Sequence, residues 1–201
     1  MPAVSNRSRP QHRLSPWHTT VYANLTQLSP DSRVEISFLR AEPHNHQTEN
    51  HVIDARSWWV KKGELAWGDL EQLRERPESI WINSDQTRGG LFDCISLEEA
   101  STLTNSLLLI KKGIFTVEVG PNLWEPRKKI FRGKFSYKNT QFDLRLTDPV
   151  ARDVFSAKGD GDHVLEDVYL CLSLTEPFKV GGQGDGRCHK LVAAIIDRKT
   201  R

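Results

Sequence analysis

Residues 130–146 read IFRGKFSYKNTQFDLRL, and this stretch decides the fold class of the chain. The run Phe142–Leu146 alternates apolar and polar side chains, which is the period-two pattern of a strand with one buried face. Ile130–Tyr137 has the composition of a preceding strand, and the polar residues Lys138–Thr140 lie between the two runs. The stretch therefore predicts an antiparallel β-hairpin.

Strand patterns continue on both sides of this hairpin. Apolar residues alternate or run together over residues 107–110, 115–119, 168–174 and 190–196. Short strands separated by turn residues are typical of small barrels. The sequence therefore predicts a mainly β fold with short helices and a barrel subdomain over residues 106–201.

The N-terminal half, residues 1–105, is predicted to be a separate subdomain with one strand and two short helices. Val34–Leu39 has the pattern of the strand. In Trp67–Leu73 apolar residues recur every three positions, with acids at the start and arginines beyond the end, as the helix dipole favours. Ser96–Glu99 has the Ser-x-x-Glu spacing of a capping box, which predicts the second helix.

Composition bounds the class of protein. The 201-residue chain is 37% hydrophobic and 27% charged, which excludes a disordered polyelectrolyte. No apolar run approaches the about 18 residues of a membrane-spanning helix, and Met1–Pro16 lacks the apolar core of a secretory signal. Cys94, Cys171 and Cys188 form no CxxC pair, which favours a reducing compartment. We expect a soluble cytoplasmic protein without a membrane partner.

Charge is distributed in blocks although the net charge is only +2. Residues 64–99 carry nine acids and three arginines, whereas residues 111–145 carry nine bases and three acids. A basic block can attract a phosphate backbone even in a nearly neutral protein. The alternative is that the two blocks neutralise each other in the folded chain.

The basic block interleaves cations with aromatic residues, as proteins that hold single-stranded nucleic acid do. Cations would follow the phosphates, and ring faces would stack on the bases. An ordinary amphipathic strand, with aromatic rings in the core and lysines in solvent, has the same pattern. The candidate nucleic-acid-binding residues are Arg127, Lys128, Lys129, Arg132, Lys134, Tyr137 and Lys138, with Arg7, Arg9 and Arg13 as a supplementary arm.

A second candidate is the polar loop Glu42–His51, which contains three histidines. Histidines at alternate positions can ligate one ion, but a tetrahedral site needs a fourth ligand. The residues that could supply it are Glu42, Glu49, Asp54 and the distant Cys188 and His189. Because a catalytic zinc signature is missing as well, no metal and no cofactor are predicted. The loop would line a small-ligand pocket, or its polar side chains would satisfy neighbouring backbone groups. The candidate ligand residues are His44, His46, Gln47, Glu49 and Asn50.

The patterns of catalytic sites are weak, and we expect a protein that is not an enzyme. The sequence has no GxSxG elbow, and Cys188 and His189 are neighbours whose side chains would face opposite sides of a strand. The glycine-rich run Gly181–Gly186 lacks the Lys-Ser/Thr of a phosphate loop and is followed by a strand.

The order of several motifs resembles the bacterial dual OB-containing domain family over residues 3–196. Two segments near the C-terminal end are the most specific. The motifs are Pro43–Asn50 with Ile53-Asp54, Trp67–Leu70, Ser106–Ile110, Phe142–Pro149, Tyr169–Phe178 and Cys188–Ile196.

The resemblance implies two tandem OB-like small barrels, the first within residues 1–105 and the second within residues 106–201. Ala3–Arg7 resembles the tail of an N-terminal strand pair, so the first barrel is expected to lack that pair and to expose an edge. A protein partner or a second copy of the chain would fill such an edge.

The resemblance also implies a non-enzymatic nucleic-acid-binding module, with single strands favoured, in a prokaryotic antiviral defence or DNA-processing system. One alternative is a protein-interaction subunit of a multi-component complex. Another is a sensor of a small ligand or nucleotide.

Overall fold

The computed structural model of the chain describes residues 32–122, 125, 128–178 and 186–198. Its N-terminal half contains five short strands and two short helices. They are β1 (Ser32–Glu35), β2 (Phe38–Ala41), β3 (His51–Ile53), β4 (Val60–Glu64), α1 (Trp67–Leu73), β5 (Cys94–Ser96) and α2 (Leu97–Ala100). The other elements are β6 (Leu107–Pro121), β7 (Lys129–Tyr137), β8 (Thr140–Leu146), α3 (Pro149–Lys158), β9 (Gly161–Leu174) and β10 (Arg187–Ile196).

Five strands of the C-terminal half close a barrel. The hydrogen-bonded order is β6, β7, β8, β10 and β9, and β9 pairs again with β6. All neighbours are antiparallel except β8 and β10, which run parallel and pair through Leu191 with Arg145 and Val192 with Leu146. The predicted hairpin and the mainly β fold are confirmed, and the closed five-stranded barrel is OB-like.

The two strands predicted over residues 107–110 and 115–119 are one long strand, β6, which turns a corner. Along β6 the buried side chains change from even positions, such as Ile110, to odd positions, such as Phe115. The ladder with β9 omits the pair Gly113 and Asp167, and Asp167 has a left-handed φ of 52°. The irregularity lets one continuous pair of strands serve two sides of the barrel.

The first strands of the chain form two small sheets. β1 pairs with β4, and β2 pairs with β3, so the single strand predicted for Val34–Leu39 is divided at residues 36–37. The first predicted helix is confirmed as α1. The Ser96–Glu99 capping box is confirmed at the start of α2, where the Ser96 hydroxyl accepts from the Glu99 N–H at 3.2 Å. Among the described residues of this half the structure contains these pairs and no closed barrel.

Two apolar contacts, among others in the described residues, join the N-terminal half to the barrel. Leu70 of α1 contacts Tyr169 and Ile196 on the outer surface of the barrel. Residues 77–105 lie over the end where β7 finishes, and they place Ile80 and Ile95 in the barrel core. The predicted boundary at residue 105 thus lies between two segments that share one core.

The helix α3 covers the opposite end of the barrel, where β7 begins. It buries Ala151 and Phe155 in the core, and the Lys129 ammonium at the start of β7 donates to the Ser156 carbonyl at 3.4 Å. Both ends of the barrel are therefore covered, and only part of the outer face of the strands remains exposed. None of the helices in the described part of the chain has the length and apolarity that a bilayer crossing requires.

Candidate functional site

The outer face of β7 and β8 carries two of the six predicted nucleic-acid-binding residues that the structure describes. Strand alternation places Arg132 and Lys134 on this face, while Phe131 and Phe135 are buried in the barrel core. β8 adds the exposed Arg145 to the same face. The face is therefore polar and rich in cations, and the aromatic rings lie behind it.

Each of the four predicted lysines lies beside a carboxylate. Exposed ion pairs contribute about 0–1 kcal/mol to stability, so a phosphate can compete for each of these lysines. The hydrogen bond that the Lys134 ammonium donates to the Glu118 carboxylate raises the pKa of Lys134, which keeps this ammonium charged. The four pairs are Lys128–Glu125 (2.5 Å), Lys129–Asp160 (3.0 Å), Lys134–Glu118 (3.0 Å) and Lys138–Glu78 (2.6 Å).

Arg132 lies beneath a loop from the N-terminal half, residues 86–93, which we call the strap. Its Nε donates to Asp143 of β8 at 2.5 Å, and its Nη2 lies 3.7 Å from the Asp93 carboxylate of the strap. The Arg132 side chain is 10% exposed. Burial raises the pKa of Asp143, and the Arg132 guanidinium opposes that shift. Arg132 is thus held between two carboxylates, only one of which belongs to the barrel.

The Tyr137 side chain makes its contacts within the fold. Its ring packs against the barrel core, and its hydroxyl donates to the Pro77 carbonyl at 2.7 Å. Burial raises the pKa of this phenol. Because Phe131, Phe135 and Tyr137 all pack inward, these three rings are not presented for stacking on bases in this structure.

Arg145 is a candidate that the sequence reasoning missed. It lies opposite Arg132 in the β7–β8 ladder and opposite Leu191 in the β8–β10 ladder. Within the described residues no carboxylate lies within ion-pair distance of it. The signal was present in the alternation of Phe142–Leu146, which turns Arg145 away from the core.

His189 and Arg187 on β10 extend the same face. Burial lowers the pKa of His189, Asp93 opposes this shift, and the nearby cations Arg187 and Arg145 lower the pKa further. Arg187 pairs with Asp85 at 3.1 Å. We define the Arg145 face as Arg132, Lys134, Arg145, Arg187 and His189. Arg145 is the cation of this face that has no acidic partner among the described residues.

The polar loop Glu42–His51 joins the N-terminal half to the start of β6. The Thr48 hydroxyl donates to the Thr104 carbonyl, and both the N–H and the hydroxyl of Ser106 donate to the Glu49 carboxylate. Asn50 donates to the Gln47 side chain at 3.0 Å. These bonds agree with the interpretation in which the loop satisfies its own and neighbouring polar groups.

The three histidines of this loop point to separate partners. His44 Nδ1 lies 3.3 Å from a Glu176 oxygen, and His51 Nδ1 lies 2.7 Å from the Glu49 carbonyl. His46 is fully buried, with Nε2 3.1 Å from the Thr175 carbonyl. In the described part of the chain no three His, Cys, Asp or Glu side chains are placed to hold a metal ion.

Some predicted residues lie outside the described part of the chain. These are Arg7, Arg9, Arg13 and Arg127, together with the N-terminal segment for which an exposed edge was expected.

The comparisons with known proteins agree with the barrel geometry. The model of a family described as the dual OB-containing domain matches residues 3–195 of the chain. No curated protein and no solved structure matches the chain.

Proposed function

Because this chain belongs to the dual OB-containing domain family, we propose that it is a nucleic-acid-binding module whose second barrel holds single strands across the Arg145 face. The strands of an OB barrel that correspond to β7 and β8 are a common surface for oligonucleotides. The observation that carries the proposal is Arg145, an exposed cation on this surface with no acidic partner among the described residues.

Binding would be mainly electrostatic. Arg145 contacts a phosphate directly, and Lys134 and Lys138 exchange their carboxylate partners for neighbouring phosphates. Stacking is a smaller contribution than the sequence pattern implied, because the rings of Phe131 and Phe135 lie in the core. Such a site reads little sequence, and its affinity decreases steeply with salt.

The test is fluorescence anisotropy of labelled single-stranded DNA and RNA at about 50 and about 200 mM salt. Arg145→Ala is expected to weaken binding several-fold at the lower salt concentration and to reduce the salt slope by about 0.7 for a single strand. The matched control is Lys62→Ala, which removes one positive charge from the Lys62–Glu35 pair of the small β1–β4 sheet. Equal affinities of the two variants would contradict the proposed site.

We propose further that the module is not an enzyme and works in a reducing cytoplasm. Burial raises the pKa of Cys94 to about 11 and also raises the pKa of Cys171 and Cys188. Thiols with raised pKa values are poor nucleophiles at neutral pH, which supports a non-catalytic role for these residues. A place in a prokaryotic defence or DNA-processing system rests on the family resemblance alone.

A second candidate function, a protein-interaction subunit, is favoured by exposed apolar side chains on β2 and in the segment between β3 and β4. Phe38 is 55% exposed, Leu39 is 54% exposed and Trp58 is 66% exposed. Side chains of this size in one region are typical of protein contacts. Two results together would favour this function over nucleic-acid binding. The chain would bind no oligonucleotide at either salt concentration, and one protein would co-purify with it in a stoichiometric ratio. Phe38→Ser and Trp58→Ser would each release that protein.

A further inference from the structure

The strap is a closed loop laid over the face that the proposed function uses. Asp85 and Cys94 form an antiparallel bridge at its base, and Arg187 holds Asp85 at 3.1 Å. At its far side Leu91 and Asp143 exchange two backbone hydrogen bonds of 3.2 Å. The strap thus pairs with β8 at Asp143, and its Asp93 carbonyl accepts from the Lys190 N–H of β10 at 2.9 Å.

The Asp93 carboxylate is bound in the way that a phosphate would be bound. It is 8% exposed, and it accepts hydrogen bonds of 2.6 Å from both the N–H and the hydroxyl of Thr87. Its other neighbour is the Arg132 guanidinium at 3.7 Å. A backbone N–H, a hydroxyl and a guanidinium are the donors that proteins use for phosphate oxygens.

The closed strap leaves no room beside Asp93. A Cβ atom on Gly90 would lie 1.9 Å from Asp93 Oδ2 and 2.7 Å from Arg132 Nη2. Because contacts this short force a shift, a side chain at position 90 would displace the Asp93 carboxylate from its place beside Arg132. Gly90 therefore permits the closed state, and the contact can be broken there without changing any charge.

We propose that the strap is an internal competitor for nucleic acid, with the Asp93 carboxylate occupying a phosphate position at Arg132. The proposal rests on the proposed function, since the competing ligand is the phosphate backbone of a single strand. When the ligand binds, Asp93 turns away from Arg132, the Leu91–Asp143 pairing opens, and residues 86–91 move while the Asp85–Cys94 base stays closed. The free energy needed to open the strap then lowers the affinity of the Arg145 face for nucleic acid.

The first part of the test needs no ligand. Amide hydrogen exchange of the peptide spanning residues 86–93 is compared in the wild type, Asp93→Asn, Gly90→Ala and Glu118→Gln. The last variant is the matched control, because it removes one negative charge from the same face beside Lys134 without touching the strap. We expect exchange to be several-fold faster in the two strap variants and unchanged in the control. Equal exchange rates in all four proteins would contradict the proposal that the Asp93–Arg132 contact keeps the strap closed.

The second part adds a labelled single-stranded DNA oligomer. Asp93→Asn and Gly90→Ala are expected to bind the oligomer at least about fivefold more tightly than the wild type. Glu118→Gln is expected to gain less affinity than these two variants. In the wild type the oligomer should accelerate exchange in residues 86–91. Slower exchange there would mean that the strap stays closed beneath the ligand, which overturns the competition and leaves the proposed function standing. Failure of every protein to bind the oligomer would overturn both.

Discussion

Lys190 is the residue whose environment departs most from that of its type. It lies on β10, is fully buried, and donates hydrogen bonds of 2.6 Å to the Ile82 carbonyl and the Asn83 side chain. Its Nζ also lies 5.5 Å from the ring centre of Phe142. Burial lowers the pKa of Lys190 to about 8, so the ammonium is disfavoured in the folded chain.

This shift predicts a stability that increases with pH. The folded pKa lies below the value of 10.5 for a free lysine, so between these values the unfolded chain binds the extra proton. The free energy of unfolding therefore rises as pH increases through this window. We expect the wild type to gain about 1–2 kcal/mol relative to Lys190→Met between about pH 7.5 and about pH 9.5 in urea unfolding. Parallel curves for the two proteins would contradict the prediction.

Single residues show where sequence reasoning succeeds and where it stops. The alternation in β7 and β8 correctly separates the buried Phe135 from the outward Lys134. The burial of Lys190 was not predictable, because its partners Ile82 and Asn83 are more than a hundred positions away along the chain. Distant backbone groups that satisfy a buried polar side chain leave no local signal.

At the scale of elements, α3 is joined to β10 by one carboxylate. Asp148 is the N-cap of α3, and its Oδ1 accepts from the N–H groups of Val150 and Ala151 at 3.0 and 3.2 Å. Its Oδ2 accepts from the N–H of Ile195 at 2.9 Å. A single side chain thus caps the helix and satisfies a buried group of the last strand.

We expect Asp148→Ala to lower the free energy of unfolding by about 2–4 kcal/mol, because a cap and a buried hydrogen bond are lost together. Asp148→Asn keeps one acceptor oxygen and should lose about half as much. Chemical denaturation of the three proteins measures the difference. Similar losses in both variants would show that the side-chain oxygens do not join the two elements.

The helix α3 also shows a local signal that the sequence reasoning overlooked. The usual start and stop signals of a helix are present here: Asp148 at the N-cap, Pro149 in the first turn and Gly159 after the last residue. The helix α1 was predicted because its apolar spacing is visible in the sequence. The strap was not, since a loop that covers a strand depends on contacts between the two halves of the chain.

At the scale of the molecule, the charge blocks meet each other. In the described part of the chain three ion pairs join residues 64–99 to residues 111–145, which supports the alternative in which the blocks neutralise each other. Among the described residues, this arrangement leaves Arg145, rather than the lysines, as the cation of the Arg145 face without an acidic partner. The pairs are Lys111–Glu71 (3.9 Å), Arg132–Asp93 (3.7 Å) and Lys138–Glu78 (2.6 Å).

The shared core predicts that the barrel depends on the preceding segment. Ile80, Ile95 and Ala100 are fully buried against side chains of the barrel. We expect a fragment of residues 106–201 to lack the cooperative thermal unfolding of the full chain, because its core would be open at one end. Circular dichroism of both proteins is the measurement. A fragment that melts cooperatively within about 5 °C of the full chain would instead support an independent domain that begins at residue 106.

The parallel pairing of β8 with β10 has a consequence for synthesis. During translation β6, β7, β8 and β9 emerge before β10, and they form an open ladder whose last gap only residues 187–196 can fill. The nascent chain therefore carries an unclosed sheet with an unpaired edge until the ribosome has released this strand. Barrel closure therefore waits for β10, and until this strand is made the open edges of β8 and β9 can pair with other strands.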